Sequence, residues 1–187
     1  MRRLPIYFFV DIFPSLPIQE TKKIENFIID FIQSCRQNPH ALETVYLSIN
    51  NLCENNISLN KLIGLLDFKS FNLKSQNIRN LNHTFKLLNE EVKHNLANKT
   101  TNQKSDYEPI IILFINNNIR YDEICSVGKI KRIFILLNES SIDFNVLKKI
   151  SDNLLDLNTI DISTFCRTLL RWDWEDADII GFSEKLN

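Results

Sequence analysis

Asp11 stands at the end of an apolar run, Leu4-Pro5-Ile6-Tyr7-Phe8-Phe9-Val10, and Ser15 follows shortly after it. A carboxylate and a hydroxyl on a loop after a strand are oxygen donors of the kind a hard divalent cation takes. Phe13 lies between them, and its phenyl ring ligates nothing. A second polar group, Asn116-Asn117-Asn118, follows the apolar run from Pro109 to Ile115. Such amides either satisfy the local backbone of a turn or hydrogen-bond a partner. His40, His83 and His94 belong to no recognisable nucleophile–base motif. The acid pairs Glu90-Glu91, Asp122-Glu123 and Glu175-Asp176 lie on loops or diverging faces, which suits solvation better than acid–base work. The expectation is a protein with no catalytic residues and no cofactor.

Composition narrows the classes further. Only Gly64, Gly128 and Gly181 are present, where average usage would supply roughly thirteen. Phosphate-cradling loops need glycine for close approach of backbone amides, which argues against a P-loop enzyme or a dinucleotide-binding dehydrogenase. A formal charge of −1 gives no field that would gather nucleic acid or an acidic membrane surface. No apolar run reaches the ~20 residues of a membrane span. Arg2-Arg3 before the first apolar run has the look of a signal peptide, but Asp11 interrupts it and no small-residue cleavage site follows. Cys35, Cys53, Cys125 and Cys166 form no C-x-x-C pair and read as buried small hydrophobes in a reduced, cytoplasmic protein.

The elements that position these residues alternate between strand and helix, the pattern of an α/β sheet covered by helices on both faces. The sequence predicts a strand over 4–10. A helix follows with an apolar stripe of Ile24, Phe27, Ile28, Phe31, Ile32 and Cys35, closed at Asn38-Pro39. Further strands are expected at 44–50, near 56–60, at 109–115 and at 131–137, with an edge strand at 153–157. One helical turn is expected over 62–68, and helices over 81–97, 143–151 and 162–172. The uninterrupted run at 109–115 is that of a strand buried on both faces.

Several segments resemble the TerY-like group of von Willebrand factor A (vWA) domains. They are Arg2-Arg3-Leu4-Pro5-Ile6-Tyr7, Pro39-His40-Ala41-Leu42-Glu43-Thr44, Leu147-Lys148-Lys149-Ile150-Ser151, and Phe165 with Leu169 and Trp172. The resemblance covers about residues 1–174 as a single vWA-like domain and leaves 175–187 as a C-terminal tail. It implies a three-layer, Rossmann-like α/β fold. The mostly parallel six-stranded sheet would have the order 3-2-1-4-5-6 and one antiparallel edge strand. Ligands then belong at the carboxyl ends of strands 1 and 4, where the order reverses.

The resemblance also implies a metal-ion-dependent adhesion site, and this chain departs from it. Asp11 and Ser15 match the first loop, whereas Phe13 replaces its first serine. Arg79 aligns with the threonine of the second loop, and Asn116 replaces the aspartate after strand 4. These changes predict that no metal is held. Arg79 either takes the vacated cation position and pairs with Asp11 or points to solvent. Phe13 either folds onto the core or stands exposed as an apolar anchor.

By family analogy the chain is expected to be a non-enzymatic adaptor or scaffold in a bacterial stress-response or tellurium-resistance-type system. Its partner would be another protein, a kinase, phosphatase or stress-operon product, bound without metal through Asp11, Phe13, Ser15, Arg79 and Asn116 to Asn118. The alternative is an immunity or inhibitor protein that occludes a toxin or enzyme.

Overall fold

The computed structural model describes residues 3–12, 16–51, 59–74, 86–87, 90, 106–107, 109–115, 131–136 and 153–171. Its elements, in chain order, are β1 (Leu4–Val10), α1 (Ile18–Arg36), α2 (Pro39–Thr44), β2 (Val45–Asn51), β3 (Ile63–Gly64), β4 (Ile110–Ile115), β5 (Lys131–Leu136), β6 (Asn153–Asp156) and α3 (Ile162–Arg171). The protein is mixed α/β with a mostly parallel sheet, as the alternating pattern predicts. The strand order among the described residues is β3-β2-β1-β4-β5-β6. Among the described strands, only the short β3 runs antiparallel to its neighbour, pairing Tyr46 with Gly64 and Leu47 with Ile63.

β1 lies between β2 and β4. Its register sets Val10 beside Asn51 on one side and Phe114 on the other, so the carboxyl ends of all three strands share one edge. Every residue of β1 and of β4 is buried. That follows from sequence: Leu-Pro-Ile-Tyr-Phe-Phe-Val and Ile-Ile-Ile-Leu-Phe-Ile have no polar alternate positions, so neither strand has a solvent side. Because β2 is parallel to β1, α1 must carry the chain back from the carboxyl edge to the amino edge before β2 starts.

One face of the sheet is built from Leu4, Ile6, Phe8 and Val10 with their registered neighbours Leu47, Ile49, Ile112 and Phe114, and α1 and α3 contribute to the same core. Aromatic rings interlock there. Phe8 meets Phe31 edge-on at 5.3 Å and Phe27 meets Phe114 at 5.5 Å, while Phe165 of α3 lies 5.7 Å from Phe27. The first two are edge-to-face pairs and the third is tilted, and all three spacings are favoured ones that add to the burial of large rings. The other face carries Tyr7, Phe9, Ile111, Leu113 and Ile115, all buried as well.

Two details differ from the sequence expectation. Asn38-Pro39 does end α1, but it also starts α2, which the sequence reading placed partly in a strand. Asn38 adopts an extended backbone, and its Oδ1 accepts from the amides of His40 (3.0 Å) and Ala41 (3.2 Å), an N-cap with proline just inside the helix. The third strand falls at Ile63–Gly64, inside the stretch expected to be a helical turn; Leu59 and Asn60 lie in no strand. Arg36 fixes this region by donating to the carbonyls of Leu65 (3.0 and 3.2 Å) and Phe68.

At the amino edge Arg3 clasps Asp106. Its Nη2 and Nε donate to the carboxylate at 2.6 and 3.0 Å, and its backbone amide donates at 3.2 Å. The amide of Tyr107 donates back to the Arg3 carbonyl at 2.8 Å. The hydrogen bond to Asp106 raises the guanidinium pKa above its ordinary value. The chain leading into β4 is thereby tied to the start of β1. The helix expected over 81–97 is helical at residues 86, 87 and 90, and the one expected over 143–151 lies outside the described residues. Among the described residues, no helix is long and apolar enough to cross a membrane.

Candidate functional site

Asp11 directly follows β1 at the edge where β1, β2 and β4 end together, and it is 1% exposed. The strand order reverses here, because the chain leaves β1 toward β2 on one side and β4 proceeds toward β5 on the other. Such a switch point leaves a crevice at the carboxyl ends of the strands, where ligands of open α/β sheets bind. Alternation along β1 carries Asp11 to the side of Tyr7 and Phe9. A carboxylate so deeply enclosed is held by interactions within the fold and does not simply face water.

Phe13, Ser15, Arg79, Asn116, Asn117 and Asn118 lie outside the described residues, as do Cys53, Cys125, His83, His94, Trp172 and Trp174. Of the residues singled out for this site, Asp11 alone is described. Among the described residues, no group of three or more His, Cys, Asp or Glu side chains lies together. The magnesium that the vWA resemblance implies wants near-octahedral oxygen ligands. Among the family's ligand positions, Asp11 and Ser15 carry suitable oxygens and Asn116 only a neutral amide, while Phe13 has no donor and Arg79 is a cation. That set does not fit the ion.

The structure adds a polar cluster that the sequence reading missed. Ser48 and Asn50 project from β2 onto the face of Tyr7 and Phe9, with which they are registered, and both are 1% exposed. Asn50 Nδ2 donates to Ser48 Oγ (3.0 Å), Ser48 Oγ donates to the Asn60 carbonyl (2.6 Å), and the Asn60 amide donates to Asn50 Oδ1 (2.8 Å). Asn60 Nδ2 in turn donates to the Ile49 carbonyl. This closed cycle pins residue 60 against the carboxyl half of β2. Asn50, opposite Phe9, stands one pleat back from Asp11 on the neighbouring strand. The signal was the polar pair at alternate positions of Val-Tyr-Leu-Ser-Ile-Asn-Asn, which reads as a solvent side until both faces of the sheet are known to be covered. Among the described residues the site offers one buried carboxylate, with neutral hydrogen-bonding groups one pleat back on the neighbouring strand.

No family model matches the chain, and no curated protein matches it. Among solved structures it is similar to proximal thread matrix protein 1 from the mussel byssus, with a TM-score of 0.57 at 12% sequence identity, over 90% of this chain. The match takes in 47% of that protein, so this chain spans about half its length. Identity so low speaks for the α/β fold alone.

Proposed function

We propose that this chain is a TerY-like vWA-type binding domain with a degenerate adhesion site, and that it engages a partner protein without metal. The observation that carries this reading is Asp11, buried at the carboxyl end of β1 beside the reversal of strand order. A carboxylate at that position is what the vWA resemblance expects, and its burial supports a structural role. The surface would be formed by the loops bearing Phe13, Ser15, Arg79 and Asn116 to Asn118, around a fixed Asp11. Its role would be that of an adaptor or scaffold in a bacterial stress-response system, with a kinase, phosphatase or stress-operon protein as partner, and the protein would act in the cytoplasm.

The test is co-purification of the tagged full chain from its host, with and without chelator, alongside a calorimetric magnesium titration. The expected result is a stoichiometric partner retained in chelator, lost with Phe13→Ala, and no heat from magnesium. Magnesium binding at micromolar affinity would overturn the metal-free reading, and a toxin as the stoichiometric partner would replace the adaptor with an inhibitor. Arg79→Ala separates its two placements. A lower Tm marks a pair with Asp11, and an unchanged Tm with weaker partner binding marks a side chain at the rim.

A further inference from the structure

Cys35, at the end of α1, and Cys166, in α3, meet inside the aromatic layer that covers the sheet. They are 0% and 3% exposed. Cys166 Sγ donates to the carbonyl of Phe31 at 3.8 Å. Phe31 is one helical turn before Cys35, so the Cys166 sulfur stands against the turn that carries Cys35. The neighbouring Cys166 thiol, together with burial, pushes the Cys35 thiol pKa far up. Phe165, beside Cys166, packs 6.0 Å from Phe31. The packing of α3 on α1 thus sets the Cys166 thiol against the last turns of α1, where Cys35 stands. Neither is a catalytic or metal-ligating group in the reading above, which this inference does not depend on.

We propose that Cys35 and Cys166 are a reversible dithiol–disulfide pair that staples α3 to α1 when a small-molecule disulfide oxidises it. The Cys166 thiolate attacks one sulfur of the oxidant, forming a mixed disulfide and releasing one thiol. The Cys35 thiolate then attacks the Cys166 sulfur, closing the internal bond and releasing the second thiol. Two electrons pass from the protein to the oxidant, and the two cysteine protons end on the released thiols. The thiolate is the nucleophile in both steps. Burial of both thiols therefore slows the exchange while α3 is docked. Exchange proceeds through transient openings of α3, which makes its rate a report on local stability.

The experiment uses the full chain with Cys53→Ser and Cys125→Ser, incubated with oxidised glutathione. Thiols are counted after denaturation, intact mass is measured, and Tm is recorded. The expected product is a monomer that has lost both thiols together and two hydrogens in mass, with Tm raised by roughly 5–10 °C. Low urea should speed the reaction, dithiothreitol should reverse it, and adding Cys166→Ala should abolish it. The unsubstituted protein, alkylated and mapped by mass spectrometry, should yield a linked Cys35–Cys166 peptide. Two thiols persisting in excess oxidant would overturn the proposal. So would glutathione adducts without an internal bond, an oxidised form that melts lower, or a link through Cys53 or Cys125 in its place.

Discussion

Replacing Asn50 by alanine probes the polar cycle beside Asp11. The substitution removes the donor to Ser48 Oγ (3.0 Å) and the acceptor for the Asn60 amide (2.8 Å). Each net hydrogen bond contributes about 1 kcal/mol, and a partly buried amide left without an acceptor costs about 1–3 kcal/mol more. Ser48 keeps its own bond to the Asn60 carbonyl, and Asn60 Nδ2 keeps Ile49, so residue 60 is not released outright. The expected loss is therefore about 3–5 kcal/mol, a fall in Tm of roughly 6–20 °C for a chain of this size. Urea unfolding followed by circular dichroism measures it, with an unchanged m-value showing that the change lies in stability. Ser48→Ala and the double variant complete a cycle, and shared bonds require non-additivity of at least about 0.5 kcal/mol. A loss below about 0.5 kcal/mol, or strict additivity, would refute the view that these groups form one closed network.

Phe31→Ala removes a fully buried ring that touches Phe8 and Phe165, and should cost about 3–5 kcal/mol in the same unfolding assay. Arg3→Ala breaks a clasp that is partly open to solvent, 40% exposed on the arginine side and 15% on the aspartate side; solvent screening limits the loss to about 1 kcal/mol, with added salt reducing it further. Asp161 Oδ1 accepts from the Thr164 amide and the Ser163 hydroxyl, and the polar groups of Thr164, foremost, and Ser163 lower its carboxyl pKa. Because the folded value is the lower one, its contribution is complete above about pH 4 and fades as pH falls further. Asp161→Asn should keep the cap on α3 but flatten this acid dependence, read by amide hydrogen exchange of residues 162–165 between pH 3 and 7.

The two central strands and the helices α1 and α3 were legible because their patterns have one solution each. Seven apolar residues in β1 and the stripe from Ile24 to Cys35 permit no other burial. α2 was hidden because Asn38-Pro39 does two things at once. The same proline that forces Asn38 out of the helical region supplies a preset first turn for the next helix. β3 was misplaced because two residues have no periodicity, and Ile63 is 37% exposed. At the site, the end of β1 announced Asp11, whereas Ser48 and Asn50 carried the usual sign of a solvent face. Their meaning depends on register with Tyr7 and Phe9 and on cover over that face, which no local pattern encodes.

The central place of β1 in the sheet also bears on synthesis. Its β4 neighbour is joined to it across the Arg3–Asp106 clasp, groups that are 103 residues apart in the chain. At ordinary elongation rates a ribosome needs roughly 5–20 s to make that stretch. For all that time an uncharged segment rich in β-forming residues, Leu-Pro-Ile-Tyr-Phe-Phe-Val, has emerged with at most one of its two sheet partners. Segments of this kind associate readily while exposed, and only the proline near its start interrupts it. The nascent chain is thus most vulnerable before β4 arrives. Chaperone occupancy during translation should concentrate on nascent chains between the completion of β1 and the emergence of β4.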